Sequence, residues 1–269
     1  MTDKQHHPIG IFDSGIGGLT VAHAVQTLLP HENIIYFGDT ARVPYGDKSA
    51  QTIQQYSQEI VDFLVKEKCK VILIACNSAS AAAYLTLRDY LQNEIPLLSV
   101  IEPVIEYVGM HYAGKSVGLI GTKQTVNSEV FAKKIAELNK EIVFFALATP
   151  LLVPVIEEGF HHKKLIHEVL DDYLSRPILG NIDALILGCT HYPLIKTAIE
   201  KFYQHGVDLI DSSVITANKL KNYLTEHHLL NNQSHLGSMK CYLSDLTEAS
   251  VKSASMFFSG EVLCKQISL

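Results

Sequence analysis

Two cysteines in this chain of 269 residues follow apolar runs that look alike. Cys76 follows the run VILIA, and Cys189 follows the run ALILG. Uninterrupted apolar runs of this length are typical of buried parallel strands. Each cysteine is followed at once by two polar residues: Asn77 and Ser78, and Thr190 and His191. The pattern predicts two thiols at the carboxyl ends of two strands, where open α/β sheets bind their ligands.

Two thiols in equivalent positions can act as base and acid on opposite faces of one carbon atom. One must be a thiolate while the other keeps its proton. A free thiol has a pKa of roughly 8.5 and is mostly protonated at neutral pH, so a nearby cation must favour the thiolate. His191, two residues after Cys189, is the candidate. The alternatives are a zinc site or a redox pair, which lack a C-x-x-C or H-x-x-x-H partner motif, and ordinary buried core cysteines.

A second candidate site is the segment from Asp13 to Gly18, with the sequence DSGIGG between a predicted strand and a predicted helix. Glycines allow a ligand to approach the backbone, and the start of a helix attracts anions. A dinucleotide fingerprint would need glycine where Thr20 stands. Asp13 is interpreted either as a helix cap or as a functional carboxylate. An actin-like or sugar-kinase phosphate loop remains an alternative for this segment.

Composition narrows the class of protein. The formal net charge of −6 and the pI near 6.1 argue against nucleic-acid binding. No apolar run approaches the roughly 18 residues of a membrane helix, and the polar N-terminus lacks the layout of a signal peptide, so we expect a cytoplasmic protein. Five cysteines in such a chain predict no disulfide framework. We therefore expect Cys69, Cys241 and Cys264 to be free residues of the core or surface.

Strands alternate with helices along the chain, which predicts an α/β fold with mostly parallel strands. The pattern then restarts: Gly118 stands 108 residues after Gly10, and Cys189 stands 113 residues after Cys76, in matching surroundings. We interpret this as an internal duplication. It predicts two similar open α/β domains related by a pseudo-two-fold axis, residues 1–100 plus 212–269 and residues 101–211, with a site in the cleft between them.

With these motifs assembled, the chain resembles the glutamate racemases of the aspartate/glutamate racemase family over essentially its whole length. The resemblance rests on four motifs: GIFDSGIGGL from Gly10, VPYG from Val43, ACNSAS from Ala75 and GCTHYPL from Gly188. It implies cofactor-independent interconversion of L- and D-glutamate, which supplies D-glutamate for bacterial peptidoglycan. Aspartate racemases usually carry Glu where His191 stands, so the glutamate branch is favoured. Racemisation of aspartate and non-catalytic amino-acid binding are the remaining alternatives.

The resemblance also implies roles for single residues. Cys76 would remove the α-proton of D-glutamate and Cys189 that of L-glutamate, with Asp13, Glu157 and His191 as auxiliary catalytic groups. The implied substrate contacts are Asp13, Ser14, Tyr45, Gly46, Asn77, Ser78, Thr122, Thr125, Thr190 and His191. No metal and no cofactor are expected, and glutamate is the expected small-molecule partner. The family further implies a homodimer that requires neither nucleic acid nor membrane.

Overall fold

The computed structural model describes residues 4–258, 260 and 262–269. Their strands are β1 (Ile9–Asp13), β2 (Ile34–Gly38), β3 (Val71–Ile74), β4 (Leu97–Ser99), β5 (Ser116–Gly121), β6 (Val143–Ala148), β7 (Ala184–Gly188), β8 (Asp208–Asp211), β9 (Met239–Leu243) and β10 (Cys264–Gln266). Their helices are α1 (Leu19–Leu28), α2 (Ala50–Lys66), α3 (Asn77–Leu91), α4 (Ile101–His111), α5 (Lys123–Asn127), α6 (Val130–Glu137), α7 (Leu152–Glu157), α8 (Lys164–Leu174), α9 (Lys196–Phe202), α10 (Ser212–Glu226) and α11 (Glu248–Phe258). None of these helices is both long and apolar enough to cross a membrane.

Two parallel sheets organise the chain, as the α/β pattern predicts. One has the strand order β10-β9-β2-β1-β3-β4 and the other the order β6-β5-β7-β8. In each sheet the first strand in sequence has its next two strands on opposite sides. Such a reversal of strand order opens a crevice at the carboxyl ends of the strands, where α/β sheets bind ligands. Both cysteine motifs follow a strand beside this crevice.

Burial explains why the cysteine runs form strands. Every residue of β3 and of β7 is buried, because helices cover the sheets. β3 pairs with β1, and β7 pairs with β5, in parallel register. Helix α3 begins at Asn77, where the Cys76 side chain caps it by accepting a hydrogen bond from Ala79 N at 3.4 Å. The thiol is therefore fixed at a strand-to-helix turn.

The last strands extend the first sheet and correct one expectation. β9 pairs with β2, and β10 pairs with β9 in a register that places Cys241 opposite Cys264. Their Cα atoms lie 4.5 Å apart and their sulfur atoms are joined in a disulfide. The prediction that both cysteines are free is wrong, because strand pairing that the sequence does not reveal brings them together across a separation of 23 residues. Cys69, by contrast, is a free buried thiol, as expected.

A buried ion pair fastens the end of the first sheet away from the cysteine motifs. Lys70 forms a salt bridge with Glu32, and both side chains are almost fully buried. Lys70 Nζ also donates to the carbonyl oxygens of Gln5 at 2.7 Å and Leu229 at 2.9 Å. Glu32 accepts a hydrogen bond from Asn231 N at 2.8 Å. Burial lowers the pKa of Lys70, while Glu32 opposes that shift. The pair thereby joins four segments that are distant in sequence, around Gln5, Glu32, Lys70 and residues 229–231.

Glu32→Gln should lower the free energy of unfolding by about 3–5 kcal/mol, because it leaves the Lys70 ammonium buried without its counter-charge. The double variant Glu32→Gln/Lys70→Met should lose less than this single variant, since no lone charge remains. Urea unfolding followed by circular dichroism measures both. Glu168→Gln is the matched control, because Glu168 pairs with Lys164 on an exposed helix surface and should change little. A double variant less stable than Glu32→Gln would contradict this account.

Candidate active site

A cavity of about 240 Å³ lies where the carboxyl ends of the two sheets meet. The sequence-predicted residues that line it are Ser14, Tyr45, Gly46, Cys76, Asn77, Ser78, Thr122, Glu157, Cys189, Thr190 and His191. Two predicted residues, Asp13 and Thr125, are buried just behind this lining. The structure thus gathers residues from six separate sequence segments around one cavity, and both cysteines reach it.

Cys76 is placed to retain its proton. Its side chain is buried and donates a hydrogen bond to Ser14 Oγ at 3.5 Å. Burial, together with the nearby negative charge of Asp13, raises the pKa of the Cys76 thiol to about 12. The amide of Ala79 and the Ser14 hydroxyl oppose this shift but do not cancel it. At neutral pH this environment therefore favours the protonated form of the Cys76 thiol.

Cys189 has a different environment, because a histidine lies beside it. His191 Nδ1 is 3.7 Å from Cys189 Sγ, and His191 Nε2 is 2.9 Å from Glu157 Oε1. Burial lowers the pKa of His191, but Cys189 and then Glu157 outweigh it through hydrogen bonds and negative charge, and the pKa rises to about 10. The ring is therefore an imidazolium at neutral pH and donates from both nitrogen atoms. A cation at this position can stabilise negative charge that forms on Cys189 Sγ during a reaction.

Asp13 acts from behind the cavity wall. Its Oδ2 accepts a hydrogen bond from Gly15 N at 3.1 Å, while its Oδ1 is buried without a hydrogen-bond partner among the described residues. Burial raises the pKa of Asp13, and the positive charge of His191 opposes that shift. The Asp13 carboxylate therefore interacts with both groups: its charge helps to keep Cys76 protonated, and it attracts the imidazolium of His191.

At Gly17 the glycine loop after β1 is filled by protein, although Ser14 and Gly15 of the same loop line the cavity. A Cβ atom on Gly17 would lie 2.5 Å from Nδ1 and Cε1 of His191 and 2.5 Å from Thr190 Oγ1. Only glycine allows the histidine to approach this closely. The phosphate-loop alternative is disfavoured, because the space that its glycines provide is occupied by the motif that follows β7.

A cluster of three hydroxyl groups joins the two cysteine-bearing halves. Ser78 Oγ lies 2.8 Å from Thr122 Oγ1 and 3.4 Å from Thr125 Oγ1, and the two threonine hydroxyls are 3.1 Å apart. Gly46 packs beside them, since a Cβ atom there would lie 2.8 Å from Thr122 Cβ. Ser78 and Thr122 line the cavity, whereas Thr125 supports them from behind. Thr125 is therefore placed as a neighbour of the contact residues and not as one of them.

Asn77 has unused hydrogen-bonding capacity at the cavity. Both atoms of its side-chain amide are buried and have no partner among the described residues. Burying an amide without partners costs free energy, so a polar ligand group would recover that cost. The hydroxyl of Tyr45, in contrast, already has a partner, because it donates a hydrogen bond to Asp39 Oδ2. The buried ring of Tyr45 lines the cavity.

The structure adds cavity residues that sequence reasoning missed. Thr149 follows β6 and lies 2.7 Å from Tyr192 Oη through its Oγ1. It stands 110 residues after Asp39, which follows β2 in the equivalent place but does not line the cavity, so the internal duplication does not identify Thr149 as a cavity residue. Lys123 also lines the cavity and pairs with the carboxylate of Asp47 at 3.1 Å. No sequence signal separated Lys123 from other surface lysines.

Arg42, the basic residue nearest the motifs in sequence, is turned away from the cavity lining. It forms ion pairs with Asp39 and Glu59 and lies over the ring of Tyr56. Metal binding gains no support either, because no group of three or more His, Cys, Asp or Glu side chains in the described part of the chain is arranged to hold an ion. The zinc alternative for Cys189 and His191 therefore lacks further ligands there.

Comparisons with known proteins agree on one family. The sequence model of the Asp/Glu/hydantoin racemase family matches residues 19–220. A glutamate racemase of Geobacter metallireducens is 41% identical over 254 residues, covering 94% of this chain and 93% of the relative. The structure of glutamate racemase from Francisella tularensis in complex with D-glutamate has a TM-score of 0.91 at 38% identity, and a glutamate racemase from Bacillus anthracis has 0.93 at 31% identity. Each alignment covers 98% of both chains.

Glu157→Gln should lower the pKa of His191 from about 10 by roughly one to two units, because it removes the negative charge that Nε2 contacts. The imidazolium should then be lost at a lower pH. NMR titration of the imidazole signals measures the shift. Glu158→Gln is the matched control, since Glu158 is adjacent, lines the same cavity and has no hydrogen bond to His191. An equal effect of the two substitutions would refute the specific role of Glu157.

Proposed function

The chain belongs to the Asp/Glu/hydantoin racemase family and, within it, to the glutamate racemases, and we propose that it interconverts L- and D-glutamate by proton transfer at Cα between Cys76 and Cys189. The observation that carries the mechanism is the unlike environment of the two thiols. Cys189 lies beside an imidazolium, and Cys76 is buried near a carboxylate. One thiol is thereby set up as base and the other as acid before substrate arrives.

The proton transfers follow from this resting state. When L-glutamate binds, the Cys189 thiolate takes the α-proton, and the electron pair of the broken C–H bond remains on Cα. The Cys76 thiol then delivers its proton to the opposite face, which yields D-glutamate and leaves Cys76 as thiolate and Cys189 as thiol. D-glutamate is converted by the same steps in reverse. Proton exchange restores the resting state between turnovers.

The carbanion must be stabilised where it forms. Asn77, with its unpartnered amide, and the hydroxyls of Ser14, Ser78 and Thr122 are the groups we assign to the substrate carboxylates. Backbone N–H groups at the start of α3 add positive potential beside Cys76. Such fixed donors stabilise developing negative charge better in a buried cavity than in water. Tyr45, Gly46, Thr190 and His191 complete the proposed contact surface, with Thr125 behind it.

Asp13 has two proposed tasks. Its negative charge keeps Cys76 protonated, and its Oδ1, which lacks a partner among the described residues, is available to the substrate ammonium or to a proton in transit. Glu157 acts one step further out, because it contacts His191 and keeps that ring protonated. His191 and Glu157 therefore tune Cys189, while Asp13 tunes Cys76.

The wider role rests on the family. We propose that the product D-glutamate supplies bacterial peptidoglycan, that the enzyme works in the cytoplasm, and that residues 1–100 plus 212–269 and residues 101–211 form its two domains. We also propose a homodimer. Leu151, Phe160 and Leu165 are exposed apolar side chains around α7 and α8 that an interface would bury. Multi-angle light scattering would report twice the chain mass of 29.8 kDa, and a monomeric mass would contradict the dimer.

Cys76→Ala and Cys189→Ala should each lower the rate of racemisation by at least about 10³-fold, because each removes one of the two proton-transferring groups. The assay incubates protein with L-glutamate in D₂O without added cofactor, follows optical rotation and measures deuterium at Cα by NMR. Cys69→Ala is the matched control, since Cys69 is a buried free thiol that does not line the cavity. It should retain wild-type turnover.

The single-cysteine variants also test which thiol serves which face. When each enantiomer is supplied separately in D₂O, Cys189→Ala should exchange the α-hydrogen of D-glutamate only, and Cys76→Ala that of L-glutamate only. Substantial racemisation by either variant would refute the two-base mechanism. Absence of both exchange and racemisation in the wild-type protein would refute the proposed activity itself.

A further inference from the structure

The C-terminal helix α11 reaches the candidate active site through one aromatic ring. Phe257 lies almost completely buried, with its ring centroid 4.8 Å from that of His191 and the two planes at 74°. This edge-to-face arrangement is a favourable geometry for aromatic pairs. Phe257 does not line the substrate cavity. Its ring contact with His191 therefore links it to the proposed site from outside the cavity.

The remaining contacts of His191 leave a role for this ring. Nδ1 faces Cys189, Nε2 faces Glu157, and Gly17 lies close against the Nδ1 edge. The carboxylate that holds Nε2 is itself 41% exposed, so it is a weaker restraint than a buried partner would be. Packing against Phe257 limits rotation of the imidazole about its side-chain bonds. A rotated ring would move Nδ1 away from Cys189 Sγ.

We propose that Phe257 is a positioning residue for racemisation: it holds the His191 ring at the angle that keeps Nδ1 on Cys189. The proposal rests on the proposed function, because it assigns a supporting residue to the same site. It gives the last part of the chain a task in catalysis, since α11 lies between β9 and β10 in sequence and packs on α1. The helix thereby connects the first sheet to a histidine that follows β7 of the second.

The chain offers a closely matched control on the same helix. Phe258, the next residue, is also buried, and its ring packs on His23 of α1, with centroids 5.4 Å apart and planes at 79°. His23 is outside the lining of the substrate cavity. Phe257→Leu and Phe258→Leu therefore remove the same group from the same helix, and each breaks one edge-to-face contact with a histidine. Only the first contact involves the proposed site.

The experiment compares these variants as full-length enzymes acting on both enantiomers. Phe257→Leu should lower kcat about 10-fold with little change in KM, because displacement of a supporting group disturbs the proton transfer rather than binding. The primary isotope effect on kcat/KM for α-deuterated L-glutamate should rise more than that for α-deuterated D-glutamate. Cys189 removes the proton only from the L enantiomer. The rate of Cys189 alkylation by iodoacetamide, read by peptide mass spectrometry, should fall as well.

Two further variants keep the test decisive. Phe257→Tyr should retain most of the activity, since it keeps the aromatic ring. The added hydroxyl has room, because Phe257 borders a second cavity of about 460 Å³ whose lining includes the polar residues Thr20, Ser213 and Asn218. If Phe257→Leu does not fold, Phe257→Met removes the ring while keeping an apolar side chain of similar length. Thermal unfolding identifies variants that are folded.

The outcomes separate the two proposals. The positioning role is supported if the wild-type protein racemises glutamate and Phe257→Leu loses activity that Phe258→Leu retains. Equal losses in both leucine variants, or isotope effects that rise equally for both enantiomers, would overturn it while leaving the racemase intact. A wild-type protein that does not racemise glutamate would refute the proposed function instead.

Discussion

The proposed activity depends on one electrostatic contrast, which is that two chemically identical thiols lie beside groups of opposite charge. Water alone would give both the same charge. The fold separates them by placing a carboxylate and a buried environment near Cys76 and an imidazolium near Cys189. Each of these neighbours is in turn supported by burial or by a further partner. The site is therefore a set of charges arranged in space rather than a pair of reactive residues.

The duplicated architecture explains how the thiols meet and why they differ. Cys76 follows β3, which pairs with β1, and Cys189 follows β7, which pairs with β5. Each thiol therefore lies at a reversal of strand order in its sheet. This common framework brings both sulfur atoms to one cavity. The residues that follow are unlike, however: Asn77 starts a helix of 15 residues, whereas His191 precedes a short turn of 3₁₀ helix. The same fold thus supplies both the match in position and the difference in chemistry.

Parts of the molecule remote from the cavity support this difference. Gly17 leaves space for His191, and Phe257 packs on the same ring from the C-terminal helix. Glu32 and Lys70 hold the far end of the first sheet through a buried ion pair whose contacts join four chain segments. The positions of the two thiols consequently depend on contacts between residues that are distant in the sequence, from 38 positions for Glu32 and Lys70 to 174 for Gly17 and His191.

The sequence by itself determined the strand-ending cysteines, the alternating α/β pattern and the polar residues beside each thiol, because each of these is recorded in local order and periodicity. Tertiary structure alone decided the pairing of Cys241 with Cys264, the place of Thr149 and Lys123 in the cavity wall, and the withdrawal of Asp13 and Thr125 behind it. Charge states were decided there too. The pKa of a thiol or an imidazole depends on burial and on neighbours in space, and in this protein those neighbours come from separate segments of the chain.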